Sequence, residues 1–185
     1  MEHADASVRP AVPADTSSIA AVQVRSWRAA FDTVLPATAL EVLTGDAALT
    51  RYAEHWTRSI ERPPSRHHRV LTALAADTVT GFGAYGPSPD EDRWPRTDAE
   101  LLTLAVDPDH RRAGHGSRLL NAAVDLLRED GFETISTWSF ADDQALRSLL
   151  TSAGWAADGS RRELDLSEVA PETHLSQVRL VTRIA

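Results

Sequence analysis

The run Leu101-Leu102-Thr103-Leu104-Ala105-Val106 stops at Asp107-Pro108 and re-enters as a helix through the basic turn Arg111-Arg112-Ala113-Gly114-His115-Gly116. The run is apolar on both parities, which predicts a strand buried on both faces. After the turn, Leu119, Leu120, Ala123, Val124 and Leu127 repeat at helical spacing, and Gly131 ends the stripe. A buried strand feeding a helix through a glycine-bearing turn places the chain in the α/β class.

The flanking segments extend this reading. Residues 6–11 read as a short strand, and Pro13 and Asp15 open a helix. That helix carries one apolar face at Ile19 and Val22 and another at Val24, Trp27 and Phe31, as if contacted on two sides. Helical patterns continue over residues 37–43 and 46–60 until Pro63-Pro64. From His68 the period shortens, and residues 70–75 and 79–85 read as a hairpin around Asp77-Thr78. Residues 86–98, rich in Pro and acids, read as a loop. Residues 132–138 form a further strand. Leu146, Leu149, Leu150 and Ala153 form a last helical face, and strands follow near 161–166 and 175–182. The sum is an α/β chain with a mixed sheet.

The turn carries the first chemical signal. Gly114 and Gly116 let backbone approach a ligand closely, and the first amides of the following helix are unpaired and aligned with its dipole. Arg111 and Arg112 add charge at the same edge. A pyrophosphate suits that arrangement, while glycines that merely make the turn are the plainer alternative. The chain has no Gly-Lys pair for a P-loop, and Leu119 stands where a dinucleotide fingerprint begun at Gly114 needs Gly or Ala. What remains is Arg-x-x-Gly-x-Gly at Arg111, Gly114 and Gly116.

Composition narrows the partners. With 185 residues the chain can bury a sizeable core. It has no cysteine, hence no disulfide or thiolate chemistry, which fits a reducing, cytoplasmic setting. The acidic start Met1-Glu2-His3-Ala4-Asp5 shows no leader, and no apolar run nears the roughly 18 residues a membrane span requires. A net charge of −8 without a basic tract argues against nucleic acid, and it either steers a cationic amine or serves solubility. His67-His68 would point to opposite faces of a strand, and His-Glu-x-x-His is absent, so no metal site is expected.

The chain resembles the GNAT superfamily of acetyl-CoA-dependent N-acetyltransferases. Val8-Arg9-Pro10-Ala11 with Asp15, and the run from Val24 to Phe31, look like its first strand and helix. Leu104-Ala105-Val106-Asp107-Pro108 with the glycine turn looks like its cofactor motif, and Ala153-Gly154-Trp155 looks like the end of its last helix. The resemblance covers nearly the whole chain. It implies one domain over residues 1–185, a mixed, mostly antiparallel sheet flanked by helices, and a central strand splayed from its neighbour. Acetyl-CoA, or another short acyl-CoA, would lie along Leu104, Ala105 and Val106, its pyrophosphate on the Arg111, Arg112, Ala113, Gly114, His115, Gly116 and Ser117 turn. Asp143 stands where the family usually has an Asn near the pantetheine. The acceptor would be a small-molecule or peptide amine, and homodimerisation is a family habit.

Acyl transfer to an amine needs a base, an oxyanion donor and an outlet for the thiolate. Glu100, eleven residues before Arg111, matches the base spacing of some family members. A partly desolvated carboxylate there would have a raised pKa, and a solvated strand-end Glu is the alternative. The resemblance implies an oxyanion amide near Ala105. Leu150 occupies the position of the family's usual proton-donating Tyr, so Tyr85 or Tyr52 serves instead, the thiolate leaves unassisted, or the protein binds acyl-CoA without turnover. Trp27, Phe31, Tyr85 and Trp138 are the candidates to line the acceptor pocket. Asp90-Glu91-Asp92 reads as a solvated loop or a cation contact, and Arg161-Arg162 as surface.

Overall fold

The shift of period at His68 separates a helical cap from a sheet. The computed structural model describes residues 6–167 and 173–185, so residues 1–5, read above for a leader, lie outside the described residues. Strands β1 (Ala6–Pro10), β2 (Arg69–Ala75), β3 (Thr78–Pro87), β4 (Asp98–Val106), β5 (Thr134–Phe140), β6 (Ala156–Asp165) and β7 (His174–Arg183) form one sheet. Its order is β1-β2-β3-β4-β5-β7-β6. Only β4 and β5 run parallel, as expected for two strands joined by a helical crossover. The sheet is therefore mixed and mostly antiparallel.

Helices α1 (Thr16–Phe31), α2 (Ala37–Thr44) and α3 (Asp46–Glu61) precede β2, α4 (His115–Glu129) joins β4 to β5, and α5 (Gln144–Ser152) follows β5. The α4 stripe meets Leu101, Ile135 and Leu150 in one core cluster. A second cluster joins Ile19 and Val22 of α1 and Trp56 of α3 to Phe82 and Ala105 of the sheet. A third gathers Phe31, Leu35 and Leu175, with Trp27 and Phe140 packed against it. The two apolar faces of α1 thus serve two clusters.

The strand read as buried on both faces is corrected in its second half. β5 pairs with β4 only at Asp98, Ala99 and Glu100, the last opposite Ser136. Beyond that point β4 and β5 part, leaving Leu102 48% exposed and Leu104 half-buried. On its other edge β4 pairs Thr103 with Ala84 and Leu101 with Tyr85, so Leu102 has no partner on β3. Such a bulge bends the strand and re-aims its side chains. The apolar run marks a strand that borders a cleft. Two smaller corrections follow: His67 and His68 precede β2 rather than lying in it, and β3 and β4 extend into the segment read as loop.

Candidate functional site

Where β4 and β5 separate, a cleft of about 1390 Å³ opens between the Arg111–Ser117 turn, α1 and α5. Its floor is Leu102, Thr103, Leu104, Ala105 and Val106 on one side and Thr137, Trp138, Ser139 and Phe140 on the other. Arg111, Arg112, Gly114, His115, Gly116 and Ser117 all line it. Ala113 does not, and its carbonyl accepts from Arg118 Nη1 at 2.9 Å.

The turn's conformation follows from its residues. Gly114 caps α4 at φ 81°, a left-handed conformation open to glycine, and Arg112 shares that region at φ 65°. The first helical bond runs from Arg118 N to Gly114 O at 3.1 Å, so His115, Gly116 and Ser117 precede the intrahelical ladder. Gly114 offers no side chain to cap their amides. The strand-to-turn corner is braced from α1: Ser26 Oγ donates to Val106 O at 3.0 Å, and Arg25 pairs with Asp107 at 3.1 Å and with Asp109. Arg111 Nε also donates to Val106 O, at 3.4 Å. The His115 ring is buried, and its Nδ1 has no partner. Burial, then Arg118 and His110, push its pKa down, so it brings its amide to the cleft rather than a charge.

At the other end of the cleft stand Trp27, Phe31, Trp138, Phe140, Leu164 and Gln177. Phe31 meets Phe140 edge-on at 4.9 Å between ring centroids and Trp27 at 6.3 Å. Tyr85 also borders the cleft, but it is buried in the cluster under α4, and its hydroxyl has no hydrogen-bond partner. Burial pushes that phenol up. Tyr52 is outside the cleft lining and donates its hydroxyl to Leu43 O at 3.0 Å.

Glu100 lies in the last β4–β5 pair, where the strands begin to part. It is buried rather than solvated, does not itself line the cleft, and its Oε2 has no hydrogen-bond partner. Burial first, then Asp90, raise its pKa to about 7, against the opposing pull of Arg162 and Arg179. Asp143 borders the cleft, and its carboxylate caps α5 by accepting from Leu146 N at 3.0 Å. Leu150 is fully buried in the core.

The acidic loop keeps Glu91 and Asp92 exposed but is anchored to the sheet. Arg179 of β7, its side chain 5% exposed, donates to Asp90 at 3.0 Å, to Asp92 at 2.5 and 2.7 Å and to Asp158 at 2.8 Å. Asp92, hydrogen-bonded to Arg179, is held at about 2. Trp138 Nε1 donates to Asp90 at 3.0 Å, and Arg162 stacks over the Trp138 ring at 4.3 Å. Asp90 and Asp92 are thus tied to a buried guanidinium, while Glu91 and Asp92 stay exposed. Sequence reasoning missed Arg179, Ser26 and Arg25, whose partners are 19 to 89 positions away and leave no local spacing to read. Among the described residues no group of three or more His, Cys, Asp or Glu side chains is placed to hold a metal. No helix among them is long and apolar enough to cross a membrane.

Comparison with known proteins converges on one family. A model described as the acetyltransferase (GNAT) family matches residues 29–155. The uncharacterized N-acetyltransferase YuaI of Bacillus subtilis (strain 168) is 28% identical over 134 residues, 71% of this chain and 70% of that one. Mycothiol acetyltransferase of Paenarthrobacter aurescens (strain TC1) is 32% identical over 121 residues, 55% of this chain but only 35% of that longer one. Among solved structures, the PaiA N-acetyltransferase of Thermoplasma acidophilum in complex with coenzyme A shares the fold with a TM-score of 0.74. Its identity is 18%, over 97% of this chain and 99% of that one.

Proposed function

The chain belongs to the acetyltransferase (GNAT) family, and from that premise we propose that it transfers an acetyl or short acyl group from acyl-CoA to a primary amine. The observation that carries this reading is that His115, Gly116 and Ser117, whose amides precede the α4 ladder, line the cleft beside a strand edge left bare by the departure of β5. A pyrophosphate fits the amides, with the helix dipole and Arg111 and Arg112 adding to its stabilisation. A pantetheine arm fits the bare edge as an added strand. Leu104 offers its backbone groups there, whereas those of Ala105 turn toward Phe82 on β3. Val106 is best placed to contribute its amide, because its carbonyl already accepts from Ser26 and Arg111. When bound, acyl-CoA supplies the activated thioester.

In this reading a neutral amine attacks the thioester carbonyl, a C–N bond forms, and the oxyanion is held by a β4 amide near Ala105. The amine proton passes to Glu100. A carboxylate titrating near 7 is well matched to that task at neutral pH, and from behind the cleft wall it acts through one water. The C–S bond then breaks, and its electron pair leaves on sulfur. Leu150 offers no proton, but a thiol of ordinary pKa, about 8.5, tolerates departure as thiolate. Calorimetry with acetyl-CoA and thiol release over an amine panel test the reading. Absence of CoA-ester binding ends it.

A second reading, an acyl-CoA sensor without turnover, is favoured by Leu150 in the core and by the use of the Asp143 carboxylate as a helix cap. Sustained thiol release that collapses in Glu100→Gln eliminates the sensor.

A further inference from the structure

We propose that the acceptor is an amino amide, an amine with an uncharged carbonyl close to it, and that Gln23 of α1 reads that carbonyl; this rests on the acyl-transfer reading above. Between α1, α3 and strands β2 and β3 the cleft has a further wall of Gln23, Trp56, Ser59, His68, Val70 and Ala84. The wall adjoins β4: Val70 pairs with Ala84, and Ala84 with Thr103. Gln23 is tied to the same strand through α1. Ser26, three residues further along the helix, donates to Val106 O at 3.0 Å, and helical residues at that spacing stand about 5 to 6 Å apart. Gln23 is thus beside the strand along which the thioester is proposed to lie, and an atom it binds is close to the attacking amine.

Gln23 is built to donate. It is 8% exposed, and its Oε1 accepts from Trp56 Nε1 at 2.7 Å. An indole N–H can only donate, so this bond decides which end of the amide is oxygen. The Nε2 group then carries two N–H donors, and among the described residues nothing accepts from them. Unlike the buried Tyr85 hydroxyl, that nitrogen is not sealed off, and Gln23 lines the cleft. Trp56 holds the amide in place, being buried itself and edge-on to Phe82 at 5.0 Å between ring centroids. A donor fixed in this way penalises a ligand that brings no acceptor.

The wall around Gln23 selects a dipole rather than an anion. Burial first, then His67, push the His68 pKa down, and burial first, then Arg58, do the same at His55, which also lines the cleft. Both rings are therefore neutral at pH 7. Arg69, another lining residue, is engaged by Asp130 at 2.8 Å. A carboxylate set against Trp56, Val70 and Ala84 would lose water without a free cation to replace it, whereas an amide carbonyl needs only the Gln23 donor.

The experiment titrates phenylalaninamide, phenethylamine and phenylalanine into protein saturated with CoA. The first carries the carbonyl, the second lacks it, and the third replaces it with a carboxylate. Phenylalaninamide is expected to bind about tenfold more tightly than either, the scale of a buried donor left unpaired. Gln23→Glu keeps an oxygen for Trp56 and removes the donor, and Gln23→Met removes the donor without adding charge. Both should bring the amide-to-amine ratio to about one. Each probe has the same amine in every protein, so differences in amine basicity cancel in that comparison. Thermal melts confirm that the variants fold. Phenylalanylglycinamide separates two sources of this chemistry: it keeps the affinity of the short amide if the acceptor is a peptide amino terminus and loses it if the acceptor is a free small molecule. Equal or tighter binding of phenethylamine or phenylalanine, no binding of any probe, or an unchanged ratio in either variant overturns the assignment. Failure of CoA itself to bind, measured first, brings down the acyl-transfer reading with it. CoA binding with no preference for the amide removes the inference alone.

Discussion

Glu100 sits where two strands part, and its environment ties its proposed role as base to stability. Folded chains hold its proton up to about pH 7, whereas unfolded chains release it near the ordinary 4.5. Its contribution to folding is therefore complete below 4.5 and is lost as pH rises through 7, a change of roughly 3 kcal/mol. Glu100→Gln keeps the shape and removes the titration. Relative to the variant, the wild type is expected to lose stability between pH 5 and 8, measured by urea midpoints at fixed ionic strength. Parallel curves for the two proteins would mean that Glu100 is solvated. The same substitution should lower kcat by about 10² to 10⁴ with little change in CoA affinity, and the wild-type rate should rise with pH through about 7. The turn glycines make a different demand. A Cβ on Gly114 would sit at φ 81° and 2.8 Å from Arg118 Nη1, and one on Gly116 would lie 2.9 Å from Leu149 Cδ2 on α5. Gly116→Val thus crowds the α4–α5 contact as well as the proposed pyrophosphate path. CoA binding is expected to fall at least about tenfold while the fold survives, since Leu149 is a movable side chain. Undiminished calorimetric affinity in both Gly114→Val and Gly116→Val would move the anion site elsewhere.

The acidic loop between β3 and β4 depends on one guanidinium from β7. Replacing Arg179 by Met leaves Asp90 partly buried without its cation, although Asp158 keeps Arg93 at 2.7 Å, and breaking such a pair costs about 3 to 5 kcal/mol. In a domain of this length that is a fall of about 6 to 20 °C in Tm. The loop should at the same time become a protease target between Ser88 and Thr97, which limited digestion and mass spectrometry would locate. A stable Arg179→Met with an uncut loop would show the clamp to be ornamental. This element also shows which information lies in local order and which does not. Strand β4, helix α4 and the turn between them were legible because their signals, an apolar run and a glycine pair, act within a few residues. The Arg179 clamp joins positions 21 to 89 apart and has no such signature. The exposure of Leu102 escaped for a related reason: an apolar run records what a strand touches, and here the contact awaiting it is a cleft rather than a neighbouring strand. Glu100 was named as a candidate base from the spacing of the resemblance, and its burial depends on the packed sheet face.

For the molecule as a whole, two electrostatic scales oppose each other when an anionic cofactor arrives. The chain carries −8, which repels an anion at long range, while Arg111, Arg112 and the α4 dipole attract it at the turn. Salt decides which is felt. At 0.01 M the screening length is about 30 Å, comparable to a domain, so the net charge acts on the approaching ligand. At 0.15 M it is about 8 Å, and only the turn is felt; at 1 M, about 3 Å, even that attraction is largely screened. The association rate of acetyl-CoA should therefore pass through a maximum at intermediate salt, in contrast to the monotonic fall of a uniformly basic site. Stopped-flow measurement across that range reads the effect directly. Arg111→Gln with Arg112→Gln should flatten the high-salt side of the maximum and leave the low-salt rise, because the first belongs to the turn and the second to the whole surface. A rate that falls steadily from 0.01 M would mean that the turn's field outweighs the net charge at every distance. A rate indifferent to salt, with binding intact, would leave the amides of His115, Gly116 and Ser117 as short-range partners that capture the cofactor only after it has entered the cleft.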